Sequence, residues 1–152
     1  MKYGDYLKTA NPFLSKCEPA EKCFVCSTSD KPTDCKVTNI GYSLRCRLCW
    51  ERNKHVSYEG ESNRNGYLRG GEHLRDFRSR SKRSVLFRHV MAEHKTEEEQ
   101  VKFEMKIVGK FKDCTNRQVE ESLRIRHKKP ELLLNSKSEF YGPVIKRKIY
   151  ES

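Results

Sequence analysis

The sequence predicts an α/β fold in which a small three-stranded antiparallel sheet is flanked by helices. Three segments alternate apolar with polar residues, a period typical of strands with one buried face: residues 37–45, 55–60 and 101–111. The first two segments are close enough in sequence to pair as a hairpin. Segments with helical signals follow the second and the third strand, and these helices are expected to lie against the sheet.

The first strand presents Ile40, Tyr42 and Leu44 in alternation with polar residues. The second strand, residues 55–60, is shorter, and residues 46–53 lengthen the hairpin that joins the two. The third strand has the clearest alternation in the chain, with an apolar residue or glycine at every second position: Val101, Phe103, Met105, Ile107, Gly109 and Phe111.

The first long helix is expected to begin near Asn63 and to run towards Arg78. Its adjacent glycines, Gly70 and Gly71, each weaken the middle of that helix by ~1 kcal/mol relative to alanine. A second helical stretch is expected over residues 85–92.

After the third strand, Asn116 is a suitable N-cap for a helix over residues 117–128, and Pro130 ends it. Residues 132–150 are expected to be extended with turns. Cys114, at the foot of the third strand, is expected to be half-buried and to have no chemical role.

The charge of the chain favours a polyanionic partner. Thirty-two basic residues against twenty-one acidic ones leave a net charge of +11, which suits DNA, with RNA as the alternative. A solvated helix face would be equally basic, so both interpretations stay open. The expected nucleic-acid contacts are Arg64, Arg75, Arg78, Arg80, Lys82 and Arg83.

Composition also limits the class and location of the protein. An apolar fraction of 35% in 152 residues excludes a large apolar core, so additional cross-links are expected. No run of eighteen apolar residues is present, so no membrane-spanning segment is expected. The first residues lack a hydrophobic signal segment. We expect a nuclear protein, with the cytoplasm as the alternative.

Seven cysteines in a reducing compartment favour metal ligation over disulfides. Cys46 and Cys49 are two residues apart, the spacing of a zinc knuckle, and His89 and His94 can supply the other two ligands. Four protein ligands predict a structural zinc site with no open position for water. The alternative is a pair of buried thiols and two surface histidines.

A second group of cysteines defines an N-terminal zinc-binding segment, residues 1–36, ahead of a domain over residues 37–152. This polar segment is expected to lack a core of its own and to fold around a second structural zinc ion. Disulfides are the competing account. The expected ligands are Cys17, Cys23, Cys26 and Cys35.

Six side chains follow one another in an order that suits hydrolysis of a phosphodiester with one bound divalent metal ion. They are two phenols, a guanidinium, an imidazole, a carboxylate and an amide: Tyr42, Tyr58, Arg69, His73, Glu121 and Asn135. Such a reaction needs a deprotonated water molecule and neutralisation of the phosphate charge. Glu121 is the expected ligand of Mg²⁺ or Mn²⁺, with its neighbour Glu120 as the alternative.

The chain resembles the GIY-YIG nucleases over roughly residues 38–145, most closely the type carried by Penelope-like retroelements. Ile40-Gly41-Tyr42 stands where the family often has Gly-Ile-Tyr, and Glu59 replaces the apolar centre of the second motif. The resemblance rests on Tyr42-Ser43-Leu44, Tyr58-Glu59-Gly60-Glu61-Ser62, Arg69-Gly70-Gly71-Glu72-His73, Arg117-Gln118-Val119-Glu120-Glu121 and Leu134-Asn135-Ser136.

The resemblance implies an antiparallel sheet flanked by helices and a zinc site made by two cysteines between the tyrosine motifs and two histidines beyond them. It implies Tyr42 as the general base, Tyr58 as a positioning partner, Arg69 as the clamp on the phosphate and Glu121 as the metal ligand. A phenol beside a metal ion or another cation is expected to have a lowered pKa.

The function expected from these features is a metal-dependent DNA endonuclease that nicks one strand, derived from or serving a retroelement. The first alternative is a zinc-stabilised nucleic-acid-binding module that has lost catalysis. A second alternative is a zinc domain that binds an acidic protein partner through its positive charge.

Overall fold

A three-stranded antiparallel sheet lies at the centre of the fold. The computed structural model describes Cys17, residues 20–29 and residues 31–135. Within these residues the strands are ordered β2-β1-β3, so the predicted sheet is confirmed. The most buried strand takes the middle position, where both of its edges are paired. The strands are β1 (Ile40–Cys46), β2 (Ser57–Ser62) and β3 (Phe103–Lys110).

Helices cover both faces of the sheet. In the described part of the chain, no helix is long and apolar enough to cross a membrane. Single 3-10 turns occur at Ala20–Lys22, Glu98–Gln100 and Pro130–Leu132. The α-helices of the described residues are α1 (Phe24–Ser27), α2 (Arg47–Glu51), α3 (Gly66–Arg78), α4 (Val85–Glu93) and α5 (Cys114–His127).

Two helix starts differ from the predicted ones because a neighbouring side chain forms the cap. Asp113, not Asn116, is the N-cap of α5, and its Oδ1 accepts the backbone N–H of Asn116 at 2.8 Å. Asn65 caps α3 by accepting the N–H of Leu68 at 2.9 Å. Aspartate and asparagine are equally good N-caps, so residue preference alone does not show which of Asp113 and Asn116 caps α5.

One helix was not predicted, and the expectation for Cys114 was wrong. The hairpin connection contains the helix α2, which the sequence pattern did not indicate. Cys114 is exposed at the start of α5, not half-buried, because the helix begins there. The extended segment expected over residues 132–150 lies largely outside the described residues, although Leu133 forms a parallel bridge with Ser57 of β2.

One face of the sheet packs against α1, α3 and α4. Phe24 and Val25 of α1 are only 2% and 3% exposed and belong to the same cluster as Leu44 and Met105. The N-terminal segment therefore does contribute buried apolar side chains, contrary to the expectation that it has no core. Phe24 and Val25 lie between the two cysteines of the knuckle Cys23-x-x-Cys26, and they pack the segment against the sheet.

The opposite face of the sheet is covered by α5 through charged contacts. Arg124 donates to the Glu59 carboxylate at 2.6 Å and to the Gly60 carbonyl at 2.9 Å. Arg117 is 6% exposed and forms an ion pair with Glu61. Buried charges of this kind are tolerated only when each one is paired, so the acidic residues of β2 match the basic residues of α5.

The adjacent glycines of α3 have different roles. A Cβ on Gly70 would lie 2.9 Å from the Cβ of Phe24 and 2.9 Å from the sulfur of Met105, whereas a Cβ on Gly71 would have nothing within 4 Å. Gly70 therefore permits the close approach of α3 to α1 and β3. Gly71 has no comparable packing role.

We predict opposite effects of alanine at these two positions. Gly71→Ala should raise the free energy of unfolding by about 1 kcal/mol through helix propensity. Gly70→Ala should lower it by about 1–3 kcal/mol because the added methyl overpacks the contact with Phe24. Urea denaturation at a fixed zinc concentration measures both changes. A stabilising Gly70→Ala substitution would contradict the packing role.

Candidate zinc centres and candidate active site

The first cysteine and histidine cluster forms where β1 meets α4. Cys46 ends β1, α2 returns Cys49 towards it, and α4 carries His89 and is capped by His94. The Cys49 sulfur lies 3.5 Å from Nε2 of His89 and 3.1 Å from Nε2 of His94. Ligand atoms around one tetrahedral zinc ion are about 3.3–3.8 Å apart. All four residues are buried, with ligand atoms within 4.8 Å of one another, so the predicted group can hold zinc.

The carboxylate of Glu97 orients the ring of His94 through Nδ1, the nitrogen that faces away from the Cys49 sulfur. Nδ1 of His94 lies 2.8 Å from Oε1 of Glu97, and Arg52 donates to both oxygens of Glu97 at 2.8 and 2.9 Å. Hydrogen bonds from Arg52 and His94 lower the pKa of Glu97 to about 2. The ionised carboxylate holds the proton of His94 on Nδ1 and leaves Nε2 available for a metal ion.

The second cluster contains the four N-terminal cysteines. The sulfur of Cys35 lies 3.6 Å from those of Cys17 and Cys26, and Cys23 completes a group whose ligand atoms lie within 4.8 Å of one another. A disulfide would require about 2.05 Å between sulfurs, whereas the described cysteines are free. The donor set suits a structural zinc ion, and it includes Cys17 despite the long spacer to Cys23.

Burial shifts the pKa of several candidate ligands. It raises the pKa of Cys35 to about 11 and that of Cys49 to about 12. Burial, together with the neighbouring His94, lowers the pKa of His89 to about 4. The histidine is therefore already neutral, as a ligand must be, whereas the thiols must lose protons when a metal ion binds.

We predict two zinc ions per reduced chain, one in each cluster. Cys26→Ser and Cys49→Ser should each leave one ion, because each substitution removes one of four thiolate or imidazole ligands. Atomic absorption on the reduced protein measures the stoichiometry. Cys114→Ser is the matched control, since Cys114 is exposed and outside both clusters. A wild-type value near zero would remove both sites.

The expected catalytic residues of β1 and α3 meet at a single phenol. The hydroxyl of Tyr42 lies 2.9 Å from Nε2 of His73 and accepts a hydrogen bond from Nε of Arg69 at 3.1 Å. Arg69 and His73 are one helical turn apart and therefore share a face of α3. The Tyr58 ring centroid is 6.4 Å from that of Tyr42 and 5.8 Å from that of His73. We call Tyr42, Tyr58, Arg69 and His73 the phenol site.

The register of the sheet explains why the two tyrosines are adjacent. Tyr42 is paired with Gly60, and Tyr58 is paired with Leu44, so the two phenols are diagonal neighbours on one face. A Cβ on Gly60 would lie 2.4 Å from Cζ of Tyr42 and 2.6 Å from its hydroxyl. The bare backbone of Gly60 therefore makes room for the Tyr42 ring, a role that the sequence motif alone did not disclose.

The structure separates the two candidate carboxylates of α5. Glu120 accepts a hydrogen bond from Nε of Arg124 at 2.7 Å, so it takes part in packing against the sheet. Glu121 is near enough to the phenol site for its negative charge to act on Tyr42 and to raise the pKa of that phenol. The charge of Glu61 raises the pKa of Tyr42 in the same way. The role of Glu121 as a metal ligand, with Glu120 as the alternative, stays a prediction.

Burial opposes the expected lowering of the Tyr42 pKa in the metal-free chain. Tyr42 is 1% exposed, and burial raises its pKa to about 12, although the nearby charge of Arg69 acts in the opposite direction. Burial and the same guanidinium lower the pKa of His73 to about 4. At neutral pH the phenol therefore keeps its proton, and the neutral imidazole can accept a hydrogen bond from it at Nε2.

Glu72 supports the guanidinium of the phenol site. Its carboxylate accepts hydrogen bonds from Nη1 of Arg69 at 2.8 Å and from Nη2 of Arg64 at 2.9 Å. Arg64, expected to contact phosphate, is thus also an ion-pair partner on the rim of the site. Glu72 was not among the predicted site residues, although its spacing of three residues from Arg69 on a helix is typical of an ion pair.

Asn135, expected to form a hydrogen bond near the nucleophile or the substrate, bonds the main chain of Glu59. Its Oδ1 accepts the backbone N–H of Glu59 at 2.9 Å, and its Nδ2 donates to the Glu59 carbonyl at 2.8 Å. Asn135 therefore holds the main chain of β2 beside Tyr58 and acts as a positioning residue. Asn135 reaches this backbone because the segment after α5 runs along the edge of β2 that is not paired with β1.

The other expected nucleic-acid contacts lie on an exposed surface at the end of α3 and in the loop that follows. Arg75, Arg78, Lys82 and Arg83 are exposed. Arg80 is also exposed, forms an ion pair with Glu98 at 3.2 Å and lies over the Phe87 ring. The surface is therefore basic, with one of its cations partly neutralised.

No protein-family model, curated protein or solved structure matches this chain. The likeness to the GIY-YIG nucleases thus depends on the motifs of the chain itself. In the structure, the Tyr42 phenol contacts the guanidinium of Arg69 and the imidazole of His73. It lies next to the Tyr58 phenol, and the negative charge of Glu121 acts to raise its pKa.

We predict that His73 makes the protein sensitive to acid. Its folded pKa of about 4 lies below the usual 6.5, so between these values the unfolded chain binds more protons and stability falls as pH falls. From pH 7 to 5 this group should cost about 2 kcal/mol. Denaturation of the wild type and of His73→Gln at both pH values measures the difference. Equal losses in the two proteins would contradict the prediction.

Proposed function

We propose that the protein is a metal-dependent endonuclease of the GIY-YIG kind that nicks DNA. The observation that carries the proposal is the hydroxyl of Tyr42, which contacts both Arg69 and His73 at hydrogen-bonding distance. Tyr58 lies beside it, and the charge of Glu121 reaches it. These groups supply the proton acceptor, the positive charge and the metal-binding oxygen that phosphodiester hydrolysis requires.

Arg69 binds the phosphate to be cut. Glu72 and Tyr42 hold its guanidinium in place through Nη1 and Nε. The Arg69 side chain is 28% exposed, and in such a partly buried position a fixed cation stabilises developing negative charge more strongly than an exposed one does.

Tyr42 is the proposed general base, and His73 orients its hydroxyl. Because the guanidinium can only donate, the phenol oxygen accepts from Arg69 and directs its own proton to Nε2 of His73. Burial keeps the His73 imidazole neutral, so its Nε2 can accept this hydrogen bond and orient the phenol. A metal ion beside the site would lower the pKa of Tyr42 and allow it to act as the general base on water, and Tyr58 orients the attacking group on the same face of the sheet.

Glu121 is the residue that would hold Mg²⁺ or Mn²⁺, with water and phosphate oxygens as the remaining ligands. The bound ion would supply positive charge that lowers the pKa of water and of a nearby phenol. The neighbouring Glu120 accepts a hydrogen bond from Arg124, which also donates to Glu59 on the sheet. The zinc clusters are structural, since each offers four protein ligands.

A second candidate function is zinc-stabilised binding of nucleic acid without catalysis. The observation that favours it is the burial of Tyr42, which is 1% exposed and has a raised pKa. A general base must reach the water that it activates. Both functions use the same basic surface, so only a cleavage assay separates them.

We predict that the zinc-loaded protein nicks supercoiled plasmid when Mg²⁺ or Mn²⁺ is added. Tyr42→Phe and Glu121→Gln should each reduce the rate by at least about 100-fold, since they remove the proton carrier and the metal ligand. Gly60→Ala should also reduce it, because the new methyl would displace the Tyr42 ring. Conversion to nicked circles on agarose gels measures the rates.

Glu120→Gln is the matched control, because it removes the adjacent carboxylate of α5, and cutting should remain within about three-fold of the wild-type rate. Equal cutting by the wild type and Glu121→Gln would defeat the proposed role of Glu121. No cutting by the wild type with either ion, combined with DNA binding, would favour the non-catalytic function instead.

A further inference from the structure

An open groove of about 520 Å³ runs along the outer side of α3, next to the phenol site. We call it the outer groove. Most of its lining comes from α3, and one residue comes from the 3-10 turn between Cys17 and Cys23. The lining residues are Lys22, Arg64, Tyr67, Leu68, Gly71, Glu72 and Arg75.

Helix periodicity creates the groove. Tyr67, Gly71 and Arg75 are spaced four residues apart and therefore lie along one face of α3. Gly71 forms a gap in this row, because a Cβ there would meet no atom within 4 Å. Leu68 lies beside the gap and is 49% exposed. The groove thus combines an aromatic ring with an exposed apolar side chain.

The charge of the outer groove is positive. Lys22, Arg64 and Arg75 line it, and the ammonium of Lys36 lies 5.3 Å from the centre of the Tyr67 ring. The lining contains one acidic residue, Glu72, whose carboxylate is paired with Arg64 and Arg69. The groove therefore suits a ligand that is a polyanion with apolar faces.

The groove is connected directly to the phenol site. Glu72 belongs to the lining of the groove and also holds Arg69, which donates to the hydroxyl of Tyr42. A chain of phosphates with one unit on Arg69 would reach Arg64 next. The groove is thus a continuation of the path that the scissile strand would take.

We propose that the outer groove binds a single strand of DNA that continues from the phosphate cut at Tyr42. This inference rests on the proposed nuclease function and specifies its substrate as DNA with an unpaired strand beside the cut. Basic side chains would hold the phosphates, and Tyr67 and Leu68 would contact an unstacked base. In a duplex the faces of the bases are covered by their neighbours, so they could not reach these two side chains.

The groove also assigns a role to the N-terminal segment. Lys22 ends the 3-10 turn that leads into Cys23, the first residue of the knuckle in the N-terminal cysteine cluster. A zinc ion in that cluster would fix the position of Lys22 across the groove from α3. The segment would then contribute directly to DNA binding as well as to folding.

The test measures binding without cutting, with Glu121→Gln loaded with zinc and kept free of Mg²⁺ and Mn²⁺. The probes are a fluorescein-labelled duplex with a single-stranded tail and the same duplex with blunt ends, compared by fluorescence anisotropy. The tailed probe should bind about ten-fold more tightly. Adding Lys22→Ala and Arg75→Ala should remove this preference and reduce the slope of log affinity against log salt by about 1.4, the value for two lost phosphate contacts to a single strand.

The matched control replaces two cations elsewhere, Lys54→Ala with Arg88→Ala, which line a different cavity. This pair should keep the preference for the tailed probe. Tyr67→Ala should weaken tail binding about ten-fold, whereas Tyr67→Phe, which keeps the ring and its packing, should not. Circular dichroism verifies that each variant is folded.

Equal affinity for tailed and blunt DNA, or an unchanged preference after Lys22→Ala and Arg75→Ala, would overturn the outer groove as a strand-binding site. If plasmid is still cut in that case, the nuclease function stands and only the groove fails. Tail preference that depends on Lys22 and Arg75, in a protein that cuts no DNA, would support the groove while removing the nuclease function.

Discussion

The hydroxyl, ring and backbone of Tyr42 connect three parts of the fold at one point. The hydroxyl contacts Arg69 and His73 of α3, the ring lies over Gly60 of β2, and the carbonyl accepts a hydrogen bond from Arg124 of α5 at 3.1 Å. A buried phenol without partners would be costly. The helices on both faces of the sheet are therefore placed by the same residue that the proposed chemistry uses, so stability and function are coupled here.

The shortage of apolar side chains is offset by polar contacts of two kinds. On one face of the sheet, Glu59 and Glu61 pair with arginines of α5. Glu59, which departs from the apolar centre of the family motif, is thus matched by Arg124 and does not disturb the strand. On the other face, cysteine and histidine ligands join segments that are distant in sequence. The ion pairs and the cysteine and histidine groups each depend on particular residues. The small core therefore requires specific polar side chains as well as apolar ones.

A basic surface is by itself weak evidence of nucleic-acid binding. Several cations are committed to ion pairs, such as Arg80 with Glu98 and Arg124 with Glu59. Those that line the outer groove are next to the phenol site, and Glu72 connects the two. Among the described residues of this groove, positive charge, an aromatic ring and proximity to the phenol site occur together, and this combination is the basis for proposing it as a binding site.

The sequence by itself determined the three strands, the long helices and both groups of zinc ligands, because period-two alternation, helical caps and cysteine spacing are local properties. It also placed Arg69 and His73 on one helical face. Only the tertiary structure decided that Gly60 accommodates the Tyr42 ring, that Asn135 holds the backbone of β2, and that Glu120 is used by Arg124. These facts depend on which distant segments pack together, and packing also raises the pKa of Tyr42 by removing it from water.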